Sequence, residues 1–215
     1  MGYGLMVTSE GVAYWFFRLN GCLTITNFIV HPDLVRSDNQ RGQLTEIDIL
    51  AVRFPYRCEL FTSSNPMRDH EVFNQNSKID FVIAEVKRSG LCRLNGPWIR
   101  QADENLNRLL YAIGTFPPDR VPDVANALYW EGGYEGEQFH VRLFAIAERK
   151  PNNQLPERVV QLSWQDVLTF IYNRFREYQR HKAQNDRWDS LGRWLYHRAQ
   201  GLSEFQFIDE VLALM

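Results

Sequence analysis

The sequence predicts an α/β chain: a mixed central sheet flanked by helices, followed by a helical C-terminal extension. Three observations carry that prediction. Runs with strict two-residue alternation are interleaved with runs of 3.6-residue periodicity. The turn-rich "RKPNNQLPER" marks a change of composition near residue 150, dividing a core of 1–150 from an extension of 151–215. With 215 residues, 45% of them hydrophobic, the chain is long and apolar enough to bury a sizeable core.

A first helix is expected in "TSEGVAYWFFRLNG", with a capping hydroxyl at Thr8 or Ser9, an apolar face of Val12, Trp15, Phe16 and Leu19, and a stop at Gly21. "CLTITNFIVHP" alternates and is rich in β-branched residues, so it reads as a strand closed by Pro32. A polar loop, "DLVRSDNQRGQ", leads to a second strand, "LTEIDILAVRFP". There Glu46, Asp48 and Leu50 share one face, and Ile47, Ile49 and Ala51 the other.

The long irregular "YRCELFTSSNPMRDHEVFNQNSK" has a length that is uncommon for a loop and often functional or mobile. The third strand, "DFVIAEVK", places Phe81, Ile83, Glu85 and Lys87 on one face, and Val82, Ala84 and Val86 on the other. One helix is expected from Trp98 to Gly114, and a fourth strand in "FHVRLFAIAE". In the extension, "SWQD" opens a helix whose face carries Trp164, Val167, Leu168, Ile171, Phe175 and Tyr178. Ser203 and Gln206 form a capping box for the last helix, with Leu202 and Phe207 placed as its hydrophobic staple.

Lys plus Arg number 24 against 26 Asp plus Glu, so attraction of the whole molecule to a polyanion is not implied. Any nucleic-acid affinity has to come from a local patch. The three cysteines, Cys22, Cys58 and Cys92, are odd in number and ungrouped, which argues against a disulfide framework or a zinc site. The opening "MGYGLMVTSEG" lacks a basic region followed by an apolar run, and no apolar run approaches a membrane span. The expectation is a soluble, cytoplasmic protein. His31, His70 and His140 are too scattered for a metal or nucleophile site, and no serine or cysteine stands in a nucleophile elbow.

Glu85 and Lys87 are the anomaly. A lone buried charge costs several kcal/mol, so two charges late in a core strand need a partner or a purpose. If the second and third strands pair, Asp48 and Glu85 converge at one end of the sheet. Two carboxylates, joined by the carbonyl of Val86, make a hard oxygen-rich site suited to Mg2+ or Mn2+. A neighbouring lysine can orient or deprotonate an attacking water, or stabilise negative charge developing on phosphorus. These are the parts for metal-assisted phosphodiester hydrolysis.

"EID" at 46–48, then "AEVKRS" at 84–89 on an apolar strand, resembles the signature of the PD-(D/E)XK nucleases, which have the restriction-endonuclease-like fold. "SEGVAYWFFRLNGCLTITNF" is similar to that family's opening helix, turn and first strand, with Glu10 at its acidic position. The order of elements agrees over roughly residues 5 to 150. Ile47 stands where the family carries proline, and Asn105 where some branches carry tyrosine. The resemblance implies that Asp48 and Glu85 hold the metal, that Lys87 is catalytic, and that Glu10 is an accessory acid. It places Gln101 where some branches carry a polar residue. It implies a DNA substrate, with single-stranded, duplex and branched forms unresolved, and admits a homodimer.

Bland readings stand beside these. Glu10 is equally a first-turn residue favoured by the helix dipole. Gln101 and Glu46 also read as solvated positions. In the basic, aromatic stretch 173–201, Arg180, Lys182 and Arg187 either grip a phosphate backbone or form the solvated face of an amphipathic helix. The alternative to a live nuclease is an inactive domain of the same fold that binds nucleic acid or a protein partner. A purely structural role is favoured if Glu85 and Lys87 bind each other out of reach of solvent.

Overall fold

The computed structural model describes residues 6–31, 45–73 and 77–215. Helix α1 (Ser9–Leu19) leads into strands β1 (Leu23–Val30), β2 (Thr45–Arg53) and β3 (Ile79–Val86). Then follow α2 (Gly96–Ile99), α3 (Asn105–Ile113), α4 (Val121–Glu131), β4 (Gly133–Glu135), β5 (Phe139–Ala147) and β6 (Val160–Ser163). The chain ends with α5 (Trp164–Glu177), α6 (Gln179–Lys182), α7 (Ser190–Gly201) and α8 (Glu204–Leu214). Pro32 and the polar segment 33–43 lie outside the described residues, as do residues 1–5.

The strands form one mixed sheet of six, in the order β1-β2-β3-β5-β4, with β6 also on β5. The β1–β2 and β2–β3 pairs are antiparallel, whereas β3–β5 and β5–β6 are parallel. β4 pairs with residues 140–142 and β6 with residues 144–147, so the two short strands share the outer edge of β5.

Helices cover both faces. On one, Trp15, Phe16 and Phe17 of α1 pack with Val82, Ala84 and Phe144 of the sheet and with Ile171, Phe175, Leu195 and Phe207 of the later helices. On the other, Leu106, Leu109 and Leu110 of α3 and Val124 and Leu128 of α4 pack on Leu50, Ile83, Val141 and Leu143. Each such large apolar side chain contributes about 1.5–3 kcal/mol by leaving water. The compositional boundary at residue 150 falls between two paired strands, and one apolar cluster runs from Val7 to Val211.

Local chemistry explains the ends of the elements. Thr8 caps α1 by accepting from Gly11 N at 3.0 Å, and Asn20 closes it by donating to Phe16 O at 2.8 Å. Gly21 has φ +74°, a conformation that glycine adopts without strain. Ser163 and Asp166 form a capping box on α5, and Ser203 and Gln206 form the expected one on α8.

Two expectations need correction. The helix expected from Trp98 to Gly114 is divided into α2, a 3₁₀ turn at Gln101–Asp103, and α3, with Glu104 left-handed at φ +52°. The break is fixed by one local and one long-range bond that a periodicity cannot register. Arg108 donates to Asp103 O at 2.7 Å, and Leu106 N donates to the Tyr129 hydroxyl at 3.0 Å. In β2, Ile47 and Ile49 do not share a face. Ile49 packs on the α1 side, while Ile47 joins Leu50 on the α3 side.

The described part of the irregular segment after β2 is tied down by charge. Asp69 takes Arg53 at 2.6 Å and Arg57 at 2.5 Å, and Arg174 of α5 lies 3.7 Å away. Arg174 also donates to Leu19 O at 2.8 Å and to Arg68 O. A second buried pair joins Asp80 to Arg142, whose guanidinium lies over the rings of Phe73 and Phe144. All three cysteines are free.

Candidate active site

The site is built where β2 parts from β3. The β2–β3 ladder ends at Ile49↔Ala84, one step before Asp48 would face Glu85. The β1–β2 ladder also skips Asp48, because Asn27 opposite it has φ +55°. A buried main-chain N–H must find an acceptor. Val86 N–H finds the side chain of Asp48, donating to Oδ2 at 2.7 Å. The carboxylate thus stands in for the missing strand carbonyl, and its position is fixed by the sheet.

Glu85, the last residue but one of β3, lies on the α2–α4 side of the sheet and is only 2% exposed. It is not left unpaired. Lys87 Nζ and Asn95 Nδ2 both donate to its Oε1, and Trp98 Nε1 donates to its Oε2 at 2.9 Å. Lys87 lies just beyond β3, with its main-chain N–H on Ile146 O at 2.8 Å. Its ammonium also reaches Val86 O at 3.2 Å and sits 3.9 Å from Asp48 Oδ2. The Trp164 indole donates to the carbonyls of Lys87 and Arg88 at 3.1 and 3.0 Å, anchoring that turn from α5.

Anions outnumber cations here. Burial pushes the Asp48 carboxyl above its ordinary pKa. Val86 N–H and Lys87 pull it down, while Glu10 and Glu46 push it further up. Burial also pushes the Glu85 carboxyl up, and Asp48 adds to that, against the opposing bond from Lys87. Two carboxylates with one ammonium between them are short of positive charge.

The donor set fits a hard divalent cation on its Asp48 side. The Asp48 side chain is 20% exposed and offers carboxylate oxygen, and the Val86 carbonyl, which accepts from Lys87 Nζ, belongs to the residue whose N–H Asp48 binds. Mg2+ commonly binds through one or two carboxylates, completing its shell with water and phosphate oxygens. On the Glu85 side, three donors already occupy the carboxylate. Among the described residues, no three His, Cys, Asp or Glu side chains are grouped to hold a metal.

The remaining sequence candidates are spread out. Glu10, in the first turn of α1, is near enough for its charge to act on Asp48. Gln101 is exposed in the 3₁₀ turn after α2 and donates to Asn126 Oδ1 at 3.2 Å. Arg180 and Arg187 are exposed, whereas Lys182 is bound to Glu59 at 3.0 Å, beside the Asp69 cluster. No helix of the described residues is long and apolar enough to cross a membrane.

Sequence reasoning missed Asn95 and Trp98, which hold Glu85, and Trp164, which holds the lysine turn. Both tryptophans read as apolar stripe positions. The available signal was the indole N–H, a donor that needs an acceptor when buried. Comparison with protein-family models, curated proteins and solved structures finds no match to this chain.

Proposed function

We propose that the chain is a metal-dependent nuclease of the restriction-endonuclease-like fold that hydrolyses DNA phosphodiester bonds. The observation that carries this reading is the meeting of Asp48, Glu85 and Lys87 at the point where the β2–β3 ladder opens, with Lys87 Nζ 3.9 Å from Asp48 Oδ2. Asp48 and the Val86 carbonyl would hold Mg2+ or Mn2+, and Glu85 would join them on giving up its bond from Lys87. The bound ion supplies Lewis-acid polarisation of a phosphoryl oxygen. Lys87 orients the attacking water and neutralises charge that builds on the phosphate. Glu10 adds an acid at the rim. Cleavage of single-stranded, duplex or branched DNA with either metal, lost in Asp48→Ala and in Lys87→Ala, is the expected result. Activity unchanged in both variants overturns the site assignment.

A second reading has its own observation. Glu85 is 2% exposed and saturated by Lys87, Asn95 and Trp98, as in a structural ion pair. In that reading the domain binds nucleic acid or a protein without cutting. Such a scaffold binds no Mn2+ at Asp48, whereas the nuclease does.

A further inference from the structure

The two edges of the sheet are finished differently. At the far edge, β5 is covered by three-residue β4 and four-residue β6. At the near edge β1 pairs with β2 alone, and beyond that ladder no main-chain bond to residues 23–30 occurs among the described residues. An open edge is a row of unpaired N–H and C=O groups, which proteins usually blunt with charge, proline or very short strands. β1, "LTITNFIV", is eight residues long and has neither charge nor proline.

Its side chains are equally unguarded. Leu23 is 67% exposed and Ile25 55%. Ile25 is the register partner of Leu50, on the α3 side of the sheet, so Ile25 and Leu23 stand on that face. Exposed Phe54 and Tyr56 follow the end of β2, where Val52 partners Leu23 and the Arg57 side chain lies close against Gly21. Grouped exposed apolar side chains mark a surface that another chain covers.

Strand geometry sets what covers it. The occupant has to be extended, to complete the ladder, and apolar at alternate positions, to meet Leu23 and Ile25. β1 itself has both properties. Gly21 (φ +74°) and Asn27 (φ +55°) interrupt the extended backbone on either side of residues 22–26, whose midpoint is Thr24. Turned by a two-fold axis through Thr24, two such runs pair antiparallel, with Leu23 of each copy facing Ile25 of the other. Both apolar pairs fall on one face, and the strand brings no charge to repel its copy.

We infer that β1 is the dimerisation edge of this protein: two copies join their sheets by antiparallel β1–β1 pairing centred on Thr24. The inference is independent of the nuclease reading. Because the contact uses the open β1 edge of both sheets, it stops at two copies.

The test is sedimentation velocity on the full chain across the micromolar range in reducing buffer, with a circular dichroism melt of each variant. Wild type is expected at twice the 25.3 kDa chain mass. Ile25→Lys, which sets two ammonium groups in the interface, is expected at a single chain mass with its melt retained. Cross-linking with diamide tests the register, in a Cys58→Ser background that removes the exposed thiol. Thr24→Cys is expected to form a covalent dimer, because opposed Cα atoms in an antiparallel pair lie about 4.5–5.5 Å apart, within disulfide reach. Ile29→Cys, beyond Asn27 on the same strand, is expected not to. Wild type at a single chain mass, or Ile25→Lys still dimeric, overturns the inference. So does cross-linking of Ile29→Cys as complete as that of Thr24→Cys, and that comparison decides alone if Ile25→Lys does not fold.

Discussion

Two charged clusters along β2, one at its end and one near its middle, make an instructive pair. At the Arg53 end, three arginines, Arg53, Arg57 and Arg174, converge on the single carboxylate of Asp69. Arg57 also takes Glu59 at 2.5 Å, and Arg53 and Arg174 donate to the main-chain carbonyls of Asn20, Leu19 and Arg68. Around Asp48 the ratio is reversed. Two carboxylates share one ammonium, and Asp48 stays partly open to solvent. The first cluster fixes a long loop to α1 and α5. The second leaves negative charge uncompensated where a strand pair opens, which is the arrangement that attracts a cation.

The contrast sharpens into opposite outcomes for similar mutations. Asp48→Asn keeps an oxygen for Val86 N–H but removes the charge. Cleavage should fall about 10²- to 10³-fold or more. Melting temperature should hold or rise, because burial disfavours that carboxylate. Asp69→Ala should do the reverse, costing about 3–5 kcal/mol by leaving buried arginines unpaired, with activity retained per folded molecule. Denaturant unfolding alongside a cleavage assay checks both. If the two variants lose stability equally, the division between a structural and a chemical cluster is wrong.

Trp98→Phe should have a smaller effect. It removes the 2.9 Å bond to Glu85 Oε2 and costs about 1–3 kcal/mol for the unsatisfied carboxylate. An unchanged midpoint would mean that water replaces the indole, and that Glu85 is more open than its burial implies.

The smallest effect belongs to a cap that is part of neither cluster. Burial pushes the Asp166 carboxyl up, but its bonds from Ser163 and Lys150 outweigh that and hold it below its ordinary value of 3.8. A carboxyl whose folded pKa is depressed stabilises the fold above its unfolded pKa. That stabilisation is lost as pH falls through the folded value. Asp166→Asn should therefore cost about 1 kcal/mol at neutral pH. The gap from wild type should close as acidity increases below about pH 4. A gap that widens with acid contradicts the sign.

How much of this was legible in the sequence follows the range of the interactions. Strands β2, β3 and β5 and helices α1, α5 and α8 announce themselves through periodicity and caps, which are local. Asp48, Glu85 and Lys87 were legible as a group because antiparallel neighbours bring strand ends together. The division of the Trp98–Gly114 helix was not, since it depends on Tyr129, which comes from a different helix. Asp69 gave no signal either, because one of its arginines comes from α5. Three-residue β4 and four-residue β6 are too short to show an alternation.

The most direct test of the central claim is calorimetric titration of Mn2+ into the metal-free wild-type protein and into Asp48→Asn. The account predicts saturable binding to the wild type and its loss in the variant. No binding by the wild type, or equal binding by both proteins, would contradict it.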